Sequence, residues 1–155
     1  MDSLRFSDRV TEGDWARVLA TFPLFAGVRK RHLSKLVRNG TFAELARGER
    51  IVSSAAGSDS LYVVLGGEAK MLLPTPRTIS TGDYFGELGV LGERPRPLHV
   101  VATGELHVMK LSRQPVLELA RRHPSVTRTL LKDLGARLHH AAADSRRRRS
   151  DSAYA

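Results

Sequence analysis

The chain contains no cysteine. Disulfide frameworks, thiolate nucleophiles and cysteine-ligated zinc are therefore excluded from its repertoire. Aromatic residues make up only 6% of the 155 positions, with a single tryptophan, Trp15. Long hydrophobic runs are missing too. The opening segment, MDSLRFSDRVTEGDW, mixes acids and bases with no apolar stretch, so it reads neither as a signal peptide nor as a membrane span; a cytoplasmic location is the default expectation. Histidine is present at positions 32, 99, 107, 123, 139 and 140, but without the spacing of a metal-binding motif such as HExxH. No GxSxG elbow or related triad signature occurs. Neither a catalytic residue nor a metal ligand is expected, and no cofactor.

What the chain does have is positive charge. Its formal net charge is +9, a bias toward anionic partners such as nucleotides, nucleic acids or acidic surfaces. Part of that charge lies in SRRRRS, Ser145 to Ser150, within a polar stretch read as a solvated, disordered basic tail over 144–155. Ahead of it, texture divides the chain into helices, strands and helices again. Thr11 and Asp14 fit a capping box with an acid in the usual glutamate place, predicting a short helix from Trp15 to Thr21. GVRKRHLSKLVRNG puts Leu33, Leu36 and Val37 on one face and Arg29, Arg31, Lys35 and Arg38 on the other. It stops at Asn39-Gly40, where the formal sequon Asn39-Gly40-Thr41 is better read as a helix end. From Thr41 to Leu111, short apolar runs (RIVSS, LYVVL, EAKMLL, LHVVAT, LHVMKL) alternate with glycine and proline turns, which argues for a compact β-barrel or sandwich. Ser112 is placed to cap RQPVLELARR. After His123-Pro124, Val126, Leu130, Leu134 and Leu138 recur every four residues, predicting an amphipathic helix over 125–143. Leu130, Leu131, Leu134 and Leu138 suit either core contacts or a dimer seam.

The stretch GDYFGELGVLGERPRPLHVVA (82–102) carries the chemistry. Glycines let backbone N–H groups converge on an anion because no side chain blocks the approach. GELGVL suits the start of a short helix, and Arg96 supplies a guanidinium for phosphate oxygens. Glu87 repels phosphate, but it makes sense as an acceptor for neutral hydroxyls, as on a ribose. Phosphate plus sugar hydroxyl implies a nucleotide.

Together with FPLFAGVRKRHLSKLV, LARGERIVSSAAGSDSLYVVLGGEAKML and LSRQPVLELARRHPSVTRTLLKDLGARL, this stretch resembles the cyclic-nucleotide-binding domain family, the effector domains of cAMP-dependent kinase regulatory subunits and catabolite activators. The resemblance implies a mainly β fold with flanking helices: an eight-stranded β-roll (a double-stranded β-helix or jelly roll) with N-terminal helices and a C-terminal helix pair. It implies a helical segment over 1–21 and a nucleotide-binding-like domain over 22–143. It makes Glu87 the acceptor of the ribose 2′-hydroxyl, Arg96 the partner of the cyclic phosphate, and the backbone around Gly86, Leu88 and Gly89 the rest of the phosphate cradle. Gly67 and Gly82 fall on the family's turn glycines. One departure stands out. Relatives follow the cassette arginine with small residues whose first N–H points at the phosphate, whereas this chain has Pro97, Leu98 and His99. Proline donates nothing there, Leu98 and His99 are bulkier than the usual pair, and His99 faces either ligand or solvent. Adenine contacts from the last helix fall near Ala141 and Ala142, which offer no donor.

The leading expectation is thus a non-catalytic sensor of cAMP or a related cyclic nucleotide, reporting through its C-terminal helix to a protein partner in trans, with a homodimer through that helix as a further expectation. The alternative is a degenerate cyclic-nucleotide-binding fold that serves as a protein-interaction module; Glu87 paired with Arg96 in an empty pocket would favour it. A nucleic-acid binder using Arg29 to Arg38 and the arginine run ranks third. Sequence-specific DNA binding is not expected, because no helix-turn-helix follows the last helix.

Overall fold

A computed structural model describes residues 10–53, 59–92 and 97–153. The chain opens with α1 (Glu12–Ala20), a 3-10 turn (Pro23–Phe25) and α2 (Lys30–Asn39). The capping box forms as the sequence requires: Asp14 N–H donates to Thr11 Oγ1 at 3.2 Å, and Thr11 N–H donates to Asp14 Oδ2 at 3.1 Å. This cap starts the helix three residues before Trp15. At the other end α2 finishes at Asn39, with Gly40 as its C-cap.

Six strands follow: β1 (Thr41–Leu45), β2 (Arg50–Ser53), β3 (Ser60–Gly66), β4 (Glu68–Leu73), β5 (Arg77–Ser80) and β6 (Tyr84–Phe85). A short helix, α3 (Glu87–Leu91), separates them from β7 (Leu98–Ala102) and β8 (Leu106–Ser112). The chain closes with α4 (Arg113–Arg122) and α5 (Pro124–Ala153). The strands form two four-stranded sheets, ordered β1-β8-β3-β6 and β2-β7-β4-β5, and every pairing is antiparallel. Sheet partners distant in sequence, β1 with β8 and β2 with β7, give the expected jelly-roll arrangement.

Burial explains the texture of each sheet. The sheet containing β3 and β8 is covered on both faces, so LYVVL and LHVMKL read as nearly continuous apolar runs. Leu61, Val63, Met109 and Leu111 face a helical core with Trp15, Leu19, Phe22, Leu33, Val116 and Leu130, while Val64, Leu106 and Val108 face the other sheet. The second sheet is covered on one face only. Its strands alternate, with Ala69 and Met71 of β4 and Leu98, Val100 and Ala102 of β7 turned inward. Gly67 turns β3 into β4 with φ of 96°, and a Cβ there would stand 2.0 Å from the Glu105 carbonyl oxygen, so only glycine fits. The N-terminal helix α1 shares one core with α2, α4 and the start of α5.

Two details differ from expectation. Ser112 occupies the N-cap position of α4, but its hydroxyl makes no capping hydrogen bond. The segment expected to be a disordered tail instead continues α5 through Ala153, its arginines exposed. Alanine and arginine are strong helix formers, and a helix already nucleated by packing adds further turns cheaply. None of the described helices is long and apolar enough to cross a membrane.

The corner between α4 and α5 is tied to α2 by a histidine pair. His32 Nδ1 and His123 Nε2 lie 2.6 Å apart, a contact that needs a lone pair on one ring and a proton on the other. Desolvation, reinforced by the charges of His123 and Arg31, lowers the pKa of His32 below its ordinary 6.5. The unfolded chain then binds this proton more readily than the folded one, so the contribution is present above about pH 6.5 and is lost as pH falls toward the folded value. Denaturant melts from about pH 7.5 to about pH 5.5 should show stability declining over that window. His32→Asn should flatten the decline.

Candidate functional site

The site begins where β6 ends. Gly86 adopts φ of 88° and ψ of 6°, the left-handed region, and serves as N-cap of α3. A Cβ at this position would meet the Ser60 carbonyl oxygen at 2.3 Å. Glycine is therefore the residue that lets the chain fold back from β6 and start α3 against β3. The first-turn N–H groups of a helix lack intrahelical acceptors, so those of α3 are available to an anion beside it.

Gly86, Glu87, Leu88 and Gly89 line a narrow cleft with about 10 Å³ of room for a water-sized probe, closed from the other side by Met71, Pro74, Pro97 and Leu98. Six of the eight residues expected to bind ligand are thus brought together. Arg96 lies outside the described residues. His99 does not join the cleft. It alternates with the inward Leu98 and Val100 of β7, and its Nε2 lies 3.3 Å from Arg50 Nη1 on β2.

Glu87 is the unusual group. It is 4% exposed, one of few charged side chains in the interior, and a buried carboxylate is costly unless it is paired. Its Oε1 is ion-paired with Nη1 of Arg137, which reaches in from α5. Oε2 is buried without a hydrogen-bond partner among the described residues. Arg137 also lies over the ring of Tyr84, with the guanidinium carbon 5.4 Å from the centroid, a cation–π arrangement. The Tyr84 hydroxyl donates to Asp133 Oδ2 at 2.5 Å. Burial first, and then that hydrogen bond, push the phenol pKa up, so Tyr84 stays a neutral donor. Behind it, Arg77 of β5 donates from Nη2 to the Tyr84 carbonyl at 3.0 Å. Burial pulls down the pKa of both Arg77 and Arg137, and the Arg77 charge lowers that of Arg137 further. Guanidinium is basic enough to remain charged regardless.

Sequence reasoning missed Arg77, Tyr84, Asp133 and Arg137. Asp133 and Arg137 sit four apart on a helix, a spacing that ordinarily marks a solvated surface pair. Only the packing of α5 turns both toward β6 and α3. The pairing expected of a disused pocket, Glu87 with Arg96, lies outside the described residues; among these, the partner of Glu87 is Arg137, a full turn before Ala141 and Ala142.

A second hollow, between α2 and α4, is lined by His32, Lys35, Glu118 and Arg122 among others. Its charges are already matched, with Lys35 and Arg122 at 3.4 and 3.2 Å from the Glu118 carboxylate. Among the described residues no orphaned group points into it, so the cleft beside Glu87 is the better candidate.

The fold and this cleft define a jelly-roll effector domain with an anion-ready turn beneath a C-terminal helix. The family model described as the cyclic nucleotide-binding domain matches residues 42–123, and the chain belongs to that family. It is 29% identical over 99 residues to a cAMP-dependent protein kinase regulatory subunit of Emericella nidulans, covering 61% of this chain and 24% of that protein. It is 23% identical over 128 residues to a CRP-like cAMP-activated global transcriptional regulator of Mycobacterium tuberculosis, covering 78% of this chain and 57% of that one. The chain thus spans well under two thirds of either relative. Among solved structures, the regulatory domain of Toxoplasma gondii PKA with cAMP superposes with a TM-score of 0.68 at 26% identity, covering 81% of this chain and 50% of that one. The Thermus thermophilus catabolite activator protein gives 0.63 at 27%, covering 79% and 61%.

Two substitutions test this geometry. Gly86→Ala should lower stability by about 2–4 kcal/mol, from left-handed strain plus the clash with Ser60, measured by urea unfolding. Tyr84→Phe removes one hydrogen bond to a charged acceptor and should cost about 1–2 kcal/mol by the same measurement.

Proposed function

We propose that this cyclic-nucleotide-binding regulatory domain senses cAMP or a close relative without catalysis, and signals through α5 to a protein partner in trans. The observation that carries the reading is the buried Glu87 carboxylate at the start of α3, whose Oε2 has no hydrogen-bond partner among the described residues, beside a cleft bordered by glycine backbone. A ribose hydroxyl donates to Glu87. The cyclic phosphate meets the first-turn N–H groups of α3, around Leu88 and Gly89, and the Arg96 guanidinium. The relatives, a cAMP-dependent kinase regulatory subunit and a cAMP-activated transcriptional regulator, support the same ligand class.

Pro97 sets the affinity. A hydrogen bond to a charged acceptor contributes about 1.5–3 kcal/mol, so the missing N–H weakens phosphate binding about 10- to 150-fold relative to a chain with a donor there. A second copy of the chain is a further partner, because Leu131 and Leu138 are 60% and 63% exposed on α5, suited to a helix–helix seam. A second reading, a protein-interaction module that no longer binds nucleotide, is favoured by one specific observation: Glu87 is already paired, with Arg137.

Calorimetric titration with cAMP separates the two. Micromolar binding that disappears in Arg96→Ala, and tightens about tenfold or more in Pro97→Ala, is the result expected of a sensor. Absence of heat at millimolar cAMP in both the unaltered chain and Pro97→Ala would overturn the sensing role in favour of the interaction module.

A further inference from the structure

We propose that the far end of α5, centred on Arg146 to Arg149, is a grip for duplex DNA, seated along the major groove and held by phosphates on both of its walls. The inference goes beyond nucleotide sensing and uses no residue of the cleft.

The first support is that this end of the helix stands clear of the roll. Among the described residues, Arg137 is the last of α5 to hydrogen-bond or ion-pair with another element, and residues 144 to 153 are all exposed. At about 1.5 Å per residue, that segment is a free rod about 15 Å long. A groove can close round a free rod, as it could not round a helix lying on a sheet.

The second support is that its charge is unanswered. Elsewhere several exposed cations meet acids: Arg17 with Asp14, Arg38 with Glu12, and Lys35 and Arg122 with Glu118. Among the described residues none of the four arginines has an ion pair, although Asp144 and Asp151 flank the run. The basic face of α2 is thus partly neutralised and the end of α5 is not. Cations near a helix C-terminus complement its dipole. Like charges at helical spacing repel, however, as Arg146 and Arg149 do, so four in succession exceed what the dipole uses.

The third support is how the charge is distributed. Successive residues of an α-helix are about 100° apart, so four consecutive arginines are spread right round the axis. The segment DSRRRRSDSA has no large apolar side chain. A helix that lies on a bilayer needs an apolar face to bury and a separate basic face, and this one has neither. It fits a ligand that presents negative charge on more than one side at once. The major groove of B-form DNA, about 12 Å wide, admits an α-helix between two phosphate walls, whereas the narrow major groove of an RNA duplex does not. With no Asn or Gln to read adenine, the segment recognises the duplex backbone rather than a sequence.

The test is fluorescence anisotropy of a labelled DNA duplex of mixed sequence, titrated with the chain between about 50 and about 200 mM salt. Binding should show a Kd of about 1–100 μM near physiological salt, and log K should fall against log salt with a slope of about −3 to −4, as four neutralised phosphates require. Arg146→Gln, Arg147→Gln, Arg148→Gln and Arg149→Gln together should weaken binding at least about tenfold and remove most of that slope. Lysine at the same four positions should retain both, and Arg29→Gln with Arg31→Gln on α2 should change neither. Absence of binding at about 100 μM protein in about 50 mM salt overturns the grip, as does unchanged affinity in the glutamine variant. Equal affinity for an RNA duplex overturns the fit to the groove. Tighter binding to vesicles of phosphatidylserine and phosphatidylcholine than to DNA overturns it in favour of a membrane surface. Glutamine is a good helix former, so far-UV circular dichroism of the variant should match that of the unaltered chain. If helix is lost, Arg147→Gln with Arg148→Gln takes its place, and about 2 should be lost from the slope.

Discussion

A carboxylate taken out of water has to be answered by positive charge or by donors, and the placement of Glu87 makes that demand at the centre of this molecule. Gly86 turns the chain so sharply beside Ser60 that Glu87 is carried inside. The answer comes from α5, a helix that begins 37 residues further along the chain (124 − 87). Breaking a fully buried pair by deleting one partner costs about 3–5 kcal/mol. Arg137 keeps some exposure, so its contribution falls below that range.

The rest of the architecture fixes where this pair can form. The sheet bearing β3, β8 and β6 is packed on both faces, against its partner sheet and against the helical layer. It gives β6 and the start of α3 a rigid backing. The first turns of α5 are fixed by Val126 and Leu130 and by the histidine pair at the α4–α5 corner. Its later turns rest on Asp133 and Arg137.

Pro97 and Arg137 meet the same stretch of chain from opposite sides. The proline offers no N–H to the cleft, and the arginine pairs with the carboxylate that borders it.

Much of this protein was determined by its sequence alone. The two-residue period of β4 and β7, the unbroken apolar runs of β3 and β8, the capping box before α1 and the left-handed glycines are local consequences of sterics and burial. They specify the jelly roll without reference to distant residues. The cassette from Gly86 to Gly89 with Pro97 and Leu98 was equally legible, since its members are close in sequence and each has a reason for its type. Which face His99 takes depended on the register of β7 against β2, and a slip of one residue would have reversed it. The partner of Glu87 could not be read at all. Arg137 is one of many arginines on a basic helix, spaced from Asp133 as any surface pair would be, and its role follows from where α4 and the histidine corner aim α5. Local rules gave the protein its roll and the sharp turn at Gly86. Long-range packing alone decided which cation enters the site, because the energy of a buried charge depends on what stands next to it in space.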